Sequence, residues 1–396
     1  MSDPTLGAYN IFDLRDMAMS RTPRGVFEFV DRGTEDEVGL RNNREAFERI
    51  KLKPRTLVDV SKRNQEIEFF GHKHKMPIGI APTGTAGLLW YQGEIALARA
   101  AAAAGIPFTL ATGSQTSMEK VAEAVPGARL WFQLYMWPDR ALSHQLVERA
   151  KNAGYEALVV TVDGAAAGNR EYNMRNGFTM PFQYTRRNIW DVLKHPRWMF
   201  GVLARYIMTT GMPRYENYPS AIKSKITGLP MGRASLRTDS LSWDDLRQLR
   251  QMWPRKLIVK GILHPQDAVL AADCGADAVV VSNHGGRNLD VTMAPIEVLP
   301  DILQALGGRI PVIVDSGFRR GSDVVKALAL GADMVYVGRS TLYGVGAGGE
   351  AGATRAINIF REEIDRVMAL IGCPDIAGLN SDYLVLPKNV KAATAD

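Results

Sequence analysis

Eight short apolar runs rich in β-branched residues punctuate the chain, at 77–82, 107–112, 129–134, 157–163, 256–261, 277–283, 311–316 and 334–338. Each is bounded by Gly, Pro or polar residues, as strands buried on both faces of a parallel sheet should be. Helix-like stretches lie between them. Residues 94–104 are alanine-rich, and 117–124 opens with Ser117 and carries Glu119 and Glu123 early. Residues 139–153, 265–274 and 322–330 have the same character, and several of these stretches close at a glycine: Gly105, Gly154, Gly275 and Gly331. Strand and helix alternate eight times, which predicts a (β/α)8 barrel, with a doubly wound sheet as the alternative.

Two stretches fall outside this rhythm. Residues 1–75 precede the barrel and read as helices plus a small β-hairpin around 69–75, packed on the barrel proper at 76–384. A long insertion, 164–255, separates the fourth strand from the fifth, and residues 385–396 form a tail expected to fray at 390–396. From Arg170 to Arg233 the insertion carries eleven Arg or Lys against three Asp or Glu, together with Trp190, Trp198, Phe200 and Tyr206. It reads either as a lid over the strand ends or as a peripheral membrane anchor, with Trp190, Trp198, Met199, Phe200, Val202, Leu203 and Ile207 beside Arg186, Arg187, Lys194, Arg197 and Arg205.

Composition narrows the classes. With 46% apolar and 23% charged residues the chain is an ordinary globular one, neither disordered nor fibrous. Two cysteines, Cys274 and Cys373, exclude a disulfide scaffold or a Cys-rich metal site and fit a reducing compartment. A net charge of +6 suits an anionic ligand or membrane surface better than nucleic acid. The first ten residues lack a basic stretch followed by an apolar run, and no apolar run reaches 18 residues. The expectation is a cytoplasmic protein, peripheral on the inner face of the membrane if the insertion is an anchor.

In such barrels chemistry gathers at the C-terminal strand ends. Those ends carry Pro82-Thr83-Gly84, Ala111-Thr112-Gly113, Gln133-Leu134-Tyr135, Thr161-Val162-Asp163, Lys260, Ser282-Asn283-His284-Gly285-Gly286-Arg287, Asp315-Ser316-Gly317-Phe318-Arg319 and Gly338-Arg339. This series, the Ser282–Arg287 hexapeptide above all, resembles the FMN-dependent 2-hydroxy-acid dehydrogenases and oxidases, and the similarity runs from about residue 10 to 384. The wording at 315–323, 339–344 and 371–376 is most similar to the mandelate-oxidising members, with lactate dehydrogenases and oxygen-using oxidases as alternatives. An FMN-dependent isomerase or a non-catalytic phosphate-binding barrel are more remote.

The resemblance implies the roles. His284 is the base, since imidazole accepts a proton near neutral pH, and its glycine neighbours let the backbone approach a ligand. Asp163 holds the imidazolium. Arg287 and Arg170 bind the substrate carboxylate, for which a guanidinium is matched bidentately, and Tyr135 hydrogen-bonds the substrate. Lys260 ends an apolar strand, where an ammonium needs a partner; the flavin's N1 and O2 edge provides one. The FMN phosphate falls to Gly317, Arg319, Gly338 and Arg339, and the ring to Gln133, Thr161 and Ser282, with Pro82, Thr83 and Gly84 beside N5. Thr112 and Asp315 complete the cofactor set. No metal is expected. The implied partners are a small 2-hydroxy acid, an electron acceptor (quinone, cytochrome or oxygen) and further copies of the chain in a homo-oligomer such as a tetramer.

Two positions depart from the family pattern. Phe29 stands where a carboxylate-binding tyrosine is usual, and Gly113 where glycolate oxidases carry a large aromatic. Both favour a bulkier or more apolar acid than glycolate. Ala111 also replaces a common serine near the flavin. Two decoys are set aside. Gly344–Gly349 matches G-x-G-x-x-G but does not follow a strand directly. His72 and His74, flanked by lysines, read as a basic turn rather than metal ligands.

Overall fold

The structure, a computed structural model, describes residues 4–178, 185–220, 222, 223, 225 and 239–386. Eight parallel strands close into a barrel: β1 (Ile78–Ile80), β2 (Phe108–Ala111), β3 (Leu130–Leu134), β4 (Ala157–Thr161), β5 (Lys256–Ile262), β6 (Ala278–Val281), β7 (Val312–Val314) and β8 (Met334–Val337). Each coincides with one of the predicted apolar runs. The barrel is possible because alternate residues serve two cores. Leu158 and Val160 point outward into the helical layer, whereas Ala157, Val159, Ile258, Ala278, Val280 and Ile313 fill the interior with Trp131 and Tyr336. The hairpin Ile67–Phe69/His72–His74 closes the N-terminal end, with Phe69 and Phe70 packed on Trp131 at 6.0 and 5.8 Å.

The helices between strands follow the expected caps. Ser117 and Asp139 cap Met118–Ala124 and Arg140–Asn152 through their side chains. A helix that the sequence pattern omits, Pro295–Leu306, connects β6 to β7; Pro300 inside it reads as a breaker but is accommodated. The last helix, Arg339–Ile371, is broken at Gly348 and Gly349, and the glycine-rich decoy lies within it. A Cβ on Gly344 would stand 2.3 Å from the Gly352 carbonyl oxygen, so those glycines serve close packing. Of the expected tail, 385–396, Val385 is held in a short antiparallel pair with Lys51, and 387–396 lie outside the described residues, as do parts of the insertion.

Three helices precede the barrel: α1 (Ile11–Arg21), α2 (Arg24–Asp31) and α3 (Val38–Arg49). Asn10 and Asp13 form a capping box on α1. The C-terminal turn of α2 lies at the C-terminal rim of the barrel, where Phe29 and Val30 line the cavity.

Candidate active site

A cavity of about 330 Å3 opens at the C-terminal ends of the strands. Its wall contains His284, Tyr135, Lys260, Arg170, Arg287, Gly113, Pro82, Thr83, Gly84, Gln133, Thr161, Asp315, Gly317, Arg319, Gly338 and Arg339. Of the residues singled out in the sequence, three stand behind that wall. Asp163 bonds to His284. Thr112 donates through Oγ1 to the Gln133 carbonyl at 2.6 Å. Ser282 accepts through Oγ from the Lys260 ammonium at 2.8 Å and from the His284 N–H at 3.1 Å. The Thr112 and Ser282 hydroxyls are therefore engaged by residues of the wall and its backing.

His284 occupies the left-handed region (φ 56°), a conformation that a non-glycine residue keeps only when its surroundings enforce it. Its Nδ1 lies 2.9 Å from Asp163 Oδ1 and 3.2 Å from Oδ2, which leaves Nε2 facing the cavity, 3.3 Å from the Tyr135 hydroxyl. Burial raises the Asp163 carboxyl, but His284 beside it and, less strongly, Lys260 outweigh this and hold it below its ordinary value. Room for Asp163 comes from a bulge in β5. Gly261 (φ 107°) interrupts the register between Lys260 and Ile262, and a Cβ there would lie 2.6 Å from Asp163 Cβ. Burial and the Asp163 charge push the Tyr135 hydroxyl up to about 12, so it remains a neutral donor.

The glycines after His284 permit close approach on the protein side as well as at the cavity. At φ 69° and 68°, Gly285 and Gly286 leave no room for side chains because Arg339 and the α3 backbone at Leu40 press against them. They admit these protein neighbours, and Gly285 also lines the cavity. Lys260 pairs with Asp315 at 3.1 Å, so its charge is balanced within the wall.

Four guanidinium groups border the cavity, and among the described residues none forms an ion pair with a carboxylate. The C-terminal turn of α2 positions two of them. Arg287 donates to the Phe29 and Arg32 carbonyls at 2.6 and 3.2 Å. Arg339 donates to those of Val30, Arg32 and Gly285 at 2.8, 3.0 and 2.7 Å. A helix C-terminus favours cations, yet carbonyls do not cancel a full charge. Burial, then Arg170 and Arg339, push Arg287 well below its ordinary value. The Phe29 ring lies beneath both Arg170 (5.5 Å) and Arg287 (5.0 Å). A buried anion would relieve this accumulation.

Among the described residues, three buried polar atoms on the wall have no hydrogen-bond partner: Gln133 Nε2, Thr161 Oγ1 and Arg170 Nε. Each such group costs about 1–3 kcal/mol unless a ligand completes it. The insertion adds two residues that sequence reasoning missed. Tyr215 and Tyr218 stack at 4.9 Å with planes 20° apart, and Tyr218 abuts Trp137. A Cβ on Gly113 would meet only Tyr215 Cδ1, at 4.0 Å. The space above Gly113 is thus open and walled by an aromatic.

Residues 18–386 match the family model described as FMN-dependent dehydrogenase. The (S)-mandelate dehydrogenase of Pseudomonas putida is 44% identical over 379 residues, covering 95% of this chain and 93% of that protein. The L-lactate oxidase of a Nostoc species is 39% identical, covering 95% and 98%. A crystal structure titled monotopic membrane protein (S)-mandelate dehydrogenase superimposes with a TM-score of 0.91 at 42% identity, covering 96% of this chain and all of that one. The chain belongs to the FMN-dependent dehydrogenase family.

As a member of that family it is an FMN-dependent oxidoreductase that acts on the CH–OH group of a 2-hydroxy acid. The residues present fit the cofactor. The partnerless Gln133 amide and Thr161 hydroxyl offer polar contacts to a heteroaromatic ring, and unneutralised Arg319 and Arg339 flank β7 and β8, where barrels commonly hold phosphate. The twin tyrosines escaped notice because they sit in an irregular stretch of the insertion without strand or helix periodicity. The carbonyls of α2 left no sequence signal at all.

Proposed function

We propose that this FMN-dependent dehydrogenase oxidises an aryl or similarly bulky (S)-2-hydroxy acid, of the mandelate type, to the 2-oxo acid. The observation that carries the reading is the open space at Gly113, faced by the Tyr215 ring. Arg170 and Arg287 hold the carboxylate, and the substrate ring enters the space above Gly113. Tyr135 donates to the bound acid. His284 Nε2 takes the hydroxyl proton, and Asp163 stabilises the imidazolium that forms. Gln133, Thr161 and Lys260 hold the FMN ring, with Pro82, Thr83 and Gly84 beside it, while Gly317, Arg319, Gly338 and Arg339 hold its phosphate. When bound, FMN supplies a two-electron acceptor for C2. Asp315 and Ser282 fix Lys260, and Thr112 fixes Gln133.

The insertion divides into two parts in this reading. Tyr215 and Tyr218 wall the catalytic cavity, while the helices from Arg186 to Thr209 expose Ile189, Trp190, Leu193, Phe200, Ile207 and Met208 among basic residues. That combination suits an anionic lipid surface. Among the described residues no helix is long and apolar enough to cross a membrane, so contact would be peripheral. A panel of 2-hydroxy acids with a soluble artificial acceptor tests the substrate assignment. (S)-Mandelate should exceed glycolate in kcat/KM by about tenfold or more, since burying a phenyl ring is worth roughly 1.5–3 kcal/mol. A preference for glycolate or lactate would overturn it.

A further inference from the structure

A second cavity, of about 260 Å3, lies beneath the exposed helices of the insertion. Its lining is almost wholly apolar: Val26 of α2 and Leu88 on one side, Val192, Val202 and Leu203 on the other. The Trp198 ring is fixed in its wall by donation to the Leu88 carbonyl at 2.6 Å. Phe178 also lines it and packs on Phe29 with ring centroids 5.4 Å apart, and Phe29 in turn lines the catalytic cavity. One aromatic pair therefore stands between the two cavities. Ile189 and Leu193 belong both to the lining and to the exposed apolar face. That face is bordered by Arg186, Arg187, Lys194, Arg197 and Arg205, all exposed.

We propose that this second cavity docks the electron acceptor, and that the acceptor is a quinone with an apolar tail that enters from a lipid surface. The proposal rests on the reading of the chain as a 2-hydroxy-acid dehydrogenase. Forming the 2-oxo acid releases two electrons and two protons. A quinone takes up both to become the quinol, so the overall exchange balances without a further reactant. The cavity suits this acceptor on three grounds. Its exposed wall is almost wholly apolar, the Asp191 carboxylate at its edge being engaged by the Arg24 N–H and His195, and its size excludes a protein. Its rim is continuous with apolar side chains set among cations, the chemistry of an anionic membrane surface, where tailed quinones dissolve. A quinone ring held against Phe178 lies two side chains from the catalytic cavity.

The test uses the FMN-loaded enzyme and a benzoquinone carrying a decyl tail. Leu203→Trp and Val202→Trp each fill the cavity; Leu203 is only partly buried, so its replacement places less strain on the fold. In each variant the KM for the quinone should rise at least about tenfold, the loss of roughly 1.4 kcal/mol of binding. Anaerobic bleaching of the flavin by the acid and turnover with a small ionic acceptor should stay within twofold. Independently, a photoreactive azido form of the quinone should label wild-type peptides from 185–213 or 23–26 and be displaced by the unlabelled compound. An unchanged quinone KM in both variants, or labelling confined to the catalytic cavity, would overturn the proposal. So would variants that lose only vesicle binding, since the cavity would then hold a lipid chain. Absence of flavin bleaching by any 2-hydroxy acid in wild type would instead overturn the underlying reading, and the labelling pattern would still report on the cavity.

Discussion

Replacing Gly113 with tryptophan fills the space in which the substrate side chain is placed. A Cβ there has nothing within 4 Å except Tyr215 Cδ1, at the limit of contact, so a side chain can leave the backbone at this position without meeting main-chain atoms. It then occupies the room between β2 and the Tyr215–Tyr218 stack. A phenyl ring excluded from that room forfeits about 1.5–3 kcal/mol of burial, roughly a 10- to 150-fold loss in kcat/KM for mandelate. Lactate presents only a methyl group, worth about 0.8 kcal/mol, and should lose less than about fourfold. The assay is kcat/KM for (S)-mandelate and (S)-lactate with one soluble acceptor, in wild type and Gly113→Trp. The mandelate-to-lactate ratio should fall by roughly 3- to 40-fold. A ratio unchanged within twofold would refute the placement of the substrate ring beside Gly113.

Three further outcomes follow from the geometry. His284→Ala should slow anaerobic flavin reduction by about 10²- to 10⁴-fold while FMN stays bound, because Nε2 is the proposed base; a loss under tenfold would exclude that role. The folded-state pKa of Asp163 is lowered, so its contribution to stability is present above the ordinary carboxylate value of about 4 and is lost as pH falls through the lower folded value. Asp163→Asn should therefore lower Tm at pH 6–7 and flatten the acid limb of the Tm profile; an unchanged profile would show that the His284 pair is energetically silent. Trp190, Phe200 and Met208 replaced together by glutamate should abolish sedimentation with anionic vesicles and leave flavin reduction intact, whereas retained sedimentation would refute contact through this face.

The barrel was legible because each strand is a continuous apolar run between turn residues, and closure then fixes where the strand ends lie. That is why His284, Lys260, Tyr135 and the arginines converge on one cavity although they are scattered from 135 to 339. Three kinds of feature left no such trace. Thr112 and Ser282 sit at strand ends like the others, but their hydroxyls are already engaged by Gln133 and Lys260, and only the fold reveals which way they turn. Gly285 and Gly286 signal close approach without saying to what, and the neighbours are Arg339 and α3. Tyr215 and Tyr218 reach the cavity from an insertion whose aromatic and basic composition reads equally as lid or anchor; which of its aromatics face the cavity and which face outward is visible only in the fold. Backbone carbonyls such as those of Phe29, Val30 and Arg32, which hold two guanidinium groups, carry no side-chain identity to read.

The most direct measurement is anaerobic single-turnover reduction of the FMN-loaded protein, followed through bleaching of the flavin's visible band, with (S)-mandelate, (R)-mandelate and glycolate in turn. (S)-Mandelate should bleach the flavin in a saturable reaction, at a rate over affinity at least about tenfold above glycolate, and (R)-mandelate should not, because its hydroxyl turns away from His284 when Arg170 and Arg287 hold the carboxylate. Equal bleaching by both enantiomers, or none by any 2-hydroxy acid, would contradict the assignment of this cavity as a 2-hydroxy-acid oxidising site.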